Sequence, residues 1–149
     1  MPEEHERLMR IALEEAARGG AEGNVAVGSI IVQDETVVAR GRNLVTTDSD
    51  PTAHAETVAL RNAGAALQRT DFSGCTLYTT FEPCPMCCGA ILVSGITTLV
   101  MGARSAPPER RWGDYSVEAL IAHTQRSDQI AVVTGILTQE CADVRLVEG

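Results

Sequence analysis

Nowhere does the sequence hold an apolar run approaching the roughly 20 residues that a membrane-spanning helix needs. The first stretch, MPEEHERLMR, is crowded with charge and has no apolar core, so no signal peptide is expected and the cytoplasm is the expected compartment. Cysteine is sparse: five residues, an odd number, too few to staple a disulfide scaffold. Basic residues are outnumbered, 12 against 20 acidic, for a formal net charge of −8. Non-specific nucleic-acid binding comes mainly from basic contacts, so this balance opposes a phosphate backbone. The best local exception is the pair Arg110 and Arg111. No repeat, low-complexity tract or linker breaks the chain. At 149 residues, 44% hydrophobic and 21% charged, it has the composition and length of one globular domain over 1–149.

Helical and strand patterns alternate along the chain. EEHERLMRIALEEAARGG places Leu8, Ile11, Ala12 and Ala16 on one helical stripe and stops at Gly19–Gly20. VAVGSIIV and TVVARGRN read as two strands joined by a tight turn at QDE. LVTTDSD reads as a polar loop, and TAHAETVALRNAGAAL as a helix that Asp50 or Thr52 can cap. CTLYTTF is a strand, PCPMCCGAILVSG a helix opened by proline, and TTLVMGA a strand. The loop RSAPPERRWGDYS holds the only tryptophan. VEALIAHTQ, QIAVVTG and LTQECADVRLV follow as helix, strand and helix. Helices between strands after an initial hairpin imply an α/β protein, a mixed sheet sandwiched by helices.

Two short motifs carry chemistry. In Cys84-Pro-Met-Cys87, two sulfurs three residues apart on a helix can close on one ion. Alone, C-x-x-C is ambiguous among a metal site, a thiol redox pair and coincidence. Cys75, Cys88 and Cys141 are scattered and read as small buried hydrophobes. His54 changes the balance. Three protein ligands with one open position make the catalytic rather than the structural zinc arrangement, and the open position holds an acidified water. Glu56 is then the candidate to move protons on that water, without being a ligand. A redox pair would leave His54 and Glu56 without a role. Residues two apart on a helix leave opposite sides of its axis. Side chains tilt toward the helix N-terminus, however, so both can reach a point beyond its start.

H-A-E followed about thirty residues later by P-C-x-x-C is the signature of zinc nucleobase deaminases. The chain resembles the cytidine-deaminase-like superfamily over nearly its full length, and the resemblance implies a three-layer α/β/α fold around a five-stranded mixed sheet. NLVTTDSDPTAHAE and LYTTFEPCPMCCGAI look most like bacterial guanine deaminases and also like bacterial tRNA adenosine deaminases. MGARSA and VTGILTQECA lean toward the latter, and fungal cytosine deaminases are similar but more distant. The resemblance implies Zn2+ held by His54, Cys84 and Cys87, with Glu56 as the proton shuttle. It implies substrate contacts from Asn43 and from the backbone of Ala55 and Glu56. Trp112 and Asp114 match an aromatic residue and a nearby aspartate in a late loop of guanine deaminases, stacking on the base and accepting from its amino group. Glu82, beside the metal loop, could also read an amine.

The final residues, ECADVRLVEG, carry neither the basic helix that tRNA adenosine deaminases set against the anticodon arm nor the longer aromatic tail of guanine deaminases. With the acidic balance, this favours a small free base as substrate: guanine, cytosine, isoguanine or a triazine-type ring. A tRNA-specific adenosine deaminase is the alternative, and a non-catalytic zinc-binding module the reading from another class. The family implies a homodimer, with no membrane and no nucleic-acid partner expected.

Overall fold

A computed structural model describes residues 2–105 and 109–146. Helix α1 (Pro2–Ala21) leads into the hairpin of β1 (Gly28–Gln33) and β2 (Thr36–Arg42). One helical turn, α2 (Val45–Asp48), precedes α3 (Ala55–Leu67). Then come β3 (Thr76–Phe81), α4 (Pro85–Ser94), β4 (Thr98–Ala103), α5 (Val117–His123), β5 (Ala131–Val133) and α6 (Thr138–Leu146). The expected last helix ran on to Val147, which lies outside the described residues, as do positions 106–108 of the long loop.

The five strands lie in the order β2-β1-β3-β4-β5. β1 runs antiparallel to β2 and β3, while β3, β4 and β5 are parallel. Helices cover both faces, so the protein is a three-layer α/β/α structure with a mixed sheet. Side chains along each strand point alternately to the two faces, and here both faces are packed. Leu8, Met9 and Ala12 of α1 and Cys141 of α6 meet Ile30, Val32, Tyr78 and Val100 on one face. Ala59, Ala63, Cys88, Ile91 and Ile121, from α3, α4 and α5, meet Ile31, Leu77, Leu99 and Met101 on the other. Burial on both sides explains why the strands read as continuous apolar runs.

The hairpin turns through Asp34 and Glu35, both with positive φ, in place of the usual glycine. The register shifts between Ile31 and Val32, which pair with Ala39 and Val37 and leave Val38 as a bulge on β2, before Gly41 meets α3. A Cβ at Gly41 would lie 2.4 Å from both the Ala55 carbonyl and the Ala59 nitrogen. Only glycine lets the start of α3 sit this close to β2.

The expected loop 44–50 contains a helical turn. Asn43 Oδ1 accepts the N–H of Val45, and Asn24 Oδ1 accepts those of Thr46 and Thr47, so two side chains from outside hold its first donors.

Candidate metal centre and its cavity

The site lies at the carboxyl end of β3, where the starts of α3 and α4 converge. Both helices begin with a metal-ligand type of residue at the position normally taken by a capping side chain. His54 occupies it for α3, with φ −72 and ψ 158, and Cys84 for α4, with φ −68 and ψ 172. Neither makes a side-chain cap bond. The side chains that would otherwise bond back to their own helix are free to face each other. Pro85 fills the first helical position of α4, where its missing N–H costs nothing. The expected cap at Asp50 or Thr52 is not used by α3. Asp50 Oδ1 instead accepts from Thr52 N and Oγ1, ahead of the helix. His54 is thus extended and outside the helix, with Glu56 in its first turn, and this answers the two-residue spacing more simply than side-chain tilt does.

His54, Cys84 and Cys87 place one donor atom each within 4.8 Å of one another. Cys84 Sγ lies 3.6 Å from His54 Nδ1. Tetrahedral ligands at ordinary Zn–S and Zn–N lengths are about 3.6 Å apart, so the donors fit zinc. Protonation fits as well. The Cys87 thiol, donating to Cys84, holds the Cys84 thiol down at about 5, helped by backbone N–H groups at the helix start and by His54, against the opposing effect of burial. The same bond, then burial, pushes Cys87 far up. The two sulfurs share a proton that a bound cation displaces. Cys75, Cys88 and Cys141 are buried, as expected of small hydrophobes.

Glu56 is 4% exposed and follows the His54 ligand position by two residues. Burial raises its carboxyl to about 7; a backbone N–H lowers it, the Cys84 thiolate adds to the rise, and Thr79 pulls it back slightly. A carboxyl poised near neutrality can both take and return a proton.

These groups open into a cavity of about 270 Å³. That is just below the usual range for ligand pockets, about 300–1,000 Å³, and suits one small ring. Asn43, Ala55, Glu82 and Trp112 all line it. Asn43 Oδ1 is occupied by the Val45 N–H, and its Nδ2 has no partner among the described residues. Glu82 is less available: Arg104 holds its Oε2 at 2.8 Å, and the same oxygen accepts the first N–H of α5, Val117, at 3.0 Å. The carboxylate fastens α5 to the metal loop. Trp112 is 49% exposed at the cavity mouth. Asp114 is exposed and is not among the residues lining the cavity.

Sequence reasoning missed three lining residues of consequence. Tyr115 donates its hydroxyl to the Pro83 carbonyl, tying the long loop to the metal loop. Phe81 lies under the guanidinium of Arg145, 4.1 Å from ring centroid to Cζ, and Arg145 itself reaches the mouth from α6. The pairing joins residues 64 positions apart, beyond any local pattern.

The sequence profile of the cytidine and deoxycytidylate deaminase zinc-binding region matches residues 2–103. The chain is 40% identical over 144 residues to a tRNA-specific adenosine deaminase of Haemophilus influenzae, covering 92% of this chain and 78% of that one. A solved structure from work on A-to-I editing by tRNA:A34 deaminases superposes with a TM-score of 0.80 at 33% identity, covering 93% of this chain and 98% of that one. A guanine deaminase of Bacillus subtilis is 46% identical, but over 88 residues, 58% of this chain and 56% of its own length. The family and the His/Cys/Cys group identify the cofactor as Zn2+. The matches also overturn two sequence-based expectations, a free base as substrate and no nucleic-acid partner. The curated relatives aligned over nine-tenths of the chain, at 40% and 35% identity, are tRNA-specific adenosine deaminases; a guanine deaminase of Nitrosomonas europaea superposes over 94% of the chain with a TM-score of 0.81, at 30% identity. The physical error was to read partner class from net charge. Arg110, Arg111 and Arg145 stand together at the cavity mouth of a chain whose total charge is negative.

Proposed function

The chain belongs to the cytidine and deoxycytidylate deaminase zinc-binding family, and from that membership we propose that it deaminates an adenosine of tRNA, converting it to inosine in the anticodon. The whole of 1–149 serves as one deaminase domain. The observation that carries the reading is the His54, Cys84 and Cys87 donor group, with His54, Cys84 and Glu56 lining one base-sized cavity. The tRNA-specific relatives aligned along most of the chain supply the substrate class.

His54, Cys84 and Cys87 hold zinc, which when bound acidifies water and polarises it for attack. The remaining work falls to the chain's own groups. The target base leaves its stack and enters the cavity, as base-modifying enzymes require. Asn43 and the backbone N–H groups of Ala55 and Glu56 hold its edge, and Trp112 covers it at the mouth. Water adds at the amine-bearing carbon. Glu56 takes the proton that the water gives up and passes it to the adjacent ring nitrogen. The second proton goes to the amine, the C–N bond breaks, and ammonia and inosine result. Burial keeps Glu56 from being solvated in either state, so each transfer stays inside the cavity.

The test is inosine formation in an anticodon stem-loop, measured by nucleoside analysis after digestion. Turnover of the stem-loop well above that of adenosine or any free base supports the reading. Faster turnover of a free base than of any tRNA substrate overturns it.

A further inference from the structure

Little holds the indole that stands at the cavity mouth. Trp112 is 49% exposed, and among the described residues its one hydrogen bond stays within its own loop: its carbonyl accepts the Tyr115 N–H at 3.1 Å. That bond closes a turn in which Gly113 takes a φ of +61. Arg111 lies 5.1 Å over the indole, but it belongs to the same loop and cannot fix its place. The loop end is first fastened to the rest of the protein at Tyr115. The phenol hydroxyl donates to the Pro83 carbonyl, directly ahead of the Cys84 ligand position. The Cys88 sulfur, buried in α4, lies in hydrogen-bonding reach of the same hydroxyl. The ring packs against the buried cluster that holds Cys88, Ile91 and Val117, and it also lines the cavity. A tyrosine suits such a post, since its ring takes apolar burial while its hydroxyl bonds a carbonyl. Beyond Tyr115 the chain is firm: Ser116 caps α5 by accepting the Ala119 N–H at 3.0 Å, and Val117 N–H donates to Glu82.

We propose that Tyr115 is the residue that positions Trp112 over the cavity, and that it thereby sets how tightly the target ring is held. The proposal rests on the reading of Trp112 as the cover of the bound ring and adds what keeps the cover in place. An indole free to move must be ordered when a base stacks on it, and that ordering weakens binding. Stacking holds the ring equally before and during reaction, so a loosened indole raises KM and leaves kcat alone.

The only tryptophan of the chain is the reporter. The zinc-loaded full chain is compared with its Tyr115→Phe variant, which loses one oxygen and keeps the ring. Zinc content and circular dichroism confirm that the variant is folded. Acrylamide quenching and fluorescence anisotropy should show Trp112 more accessible and more mobile in Tyr115→Phe. Steady-state kinetics use the anticodon stem-loop, or whichever free base the wild type deaminates instead. KM should rise about two- to tenfold, the worth of one hydrogen bond, with kcat unchanged. In a Trp112→Ala background, Tyr115→Phe should leave KM where it is. A tyrosine that serves only stability would lower the melting temperature and move neither quenching nor KM. Unchanged quenching overturns the proposal, and so does a KM that stays at the wild-type value or rises as much without Trp112. If the substrate is a free base, the tRNA reading falls and Tyr115 is judged on that base. A wild type that deaminates neither overturns both.

Discussion

Glu56 and Cys87 lie at the same centre and should fail in different ways. Glu56→Gln keeps the volume and removes the proton carrier. The variant should retain zinc by atomic spectrometry and lose activity by about 10²–10⁴-fold, the usual worth of a positioned acid–base group. Cys87→Ala should lose zinc as well as activity, and with it the stability that ligation adds. A Cys87→Ala protein that still holds stoichiometric zinc would contradict the ligand set. This centre was legible in the sequence because its chemistry is dense in short motifs, HAE and PCPMC. The substrate side was not. Asp114 is close to Trp112 in sequence, yet it is exposed and absent from the cavity lining. Glu82 sits beside the metal loop, yet Arg104 and Val117 already occupy its Oε2. Which partner a carboxylate has is settled by residues 22 to 35 positions away.

At the scale of elements, the two ligand-bearing helix starts must be held in register. Gly41 does this for α3. In Gly41→Ala the added Cβ would meet the α3 backbone at 2.4 Å, and neither side is a flexible side chain. Overpacking of this kind costs about 1–3 kcal/mol. That corresponds to a loss of several degrees, about 2–4 °C per kcal/mol for a chain of this size. Calorimetry should find that loss, and zinc affinity should fall with it because the start of α3 carries His54. The hairpin, the alternation of helices and strands along the chain and the later helices were readable because each spans enough residues to show its period. α2 was not, since three of its four residues are polar and its first N–H groups are satisfied by Asn24 and Asn43. A helix capped from elsewhere in the chain leaves no trace in its own sequence.

At the scale of the whole molecule, charge acts in two ways. Hydrogen bonding from Arg42 holds Glu22 below its usual value, and hydrogen bonding from Arg104 does the same for Glu118. Burial holds His5 below 6.5, against the opposing charge of Glu4. In each case the unfolded chain binds protons more readily, so stability falls as pH falls. The decline from the carboxylates is expected below about pH 4.5, where they protonate in the unfolded chain; between pH 7 and 4.5 Glu56, raised to about 7, acts with the opposite sign to His5. A melting temperature that rises on acidification below about pH 4.5 would contradict the assignments of Glu22 and Glu118. The second effect is local. A net charge of −8 argued against RNA, but it averages over a surface on which three arginines gather at one opening. Arg145 lies in α6 and Arg111 in the long loop, so only the fold brings them together. Among the described residues no helix is long and apolar enough to cross a membrane, in line with the sequence.

The central claim is that this zinc centre acts on an adenosine carried by tRNA. The direct measurement is a competition in one vessel, an anticodon stem-loop together with guanine, cytosine and adenosine, followed by quantification of inosine in the RNA and of each free deaminated product. Inosine in the stem-loop as the dominant product, abolished in Glu56→Gln, is the result expected. Xanthine or uracil accumulating ahead of inosine would contradict it.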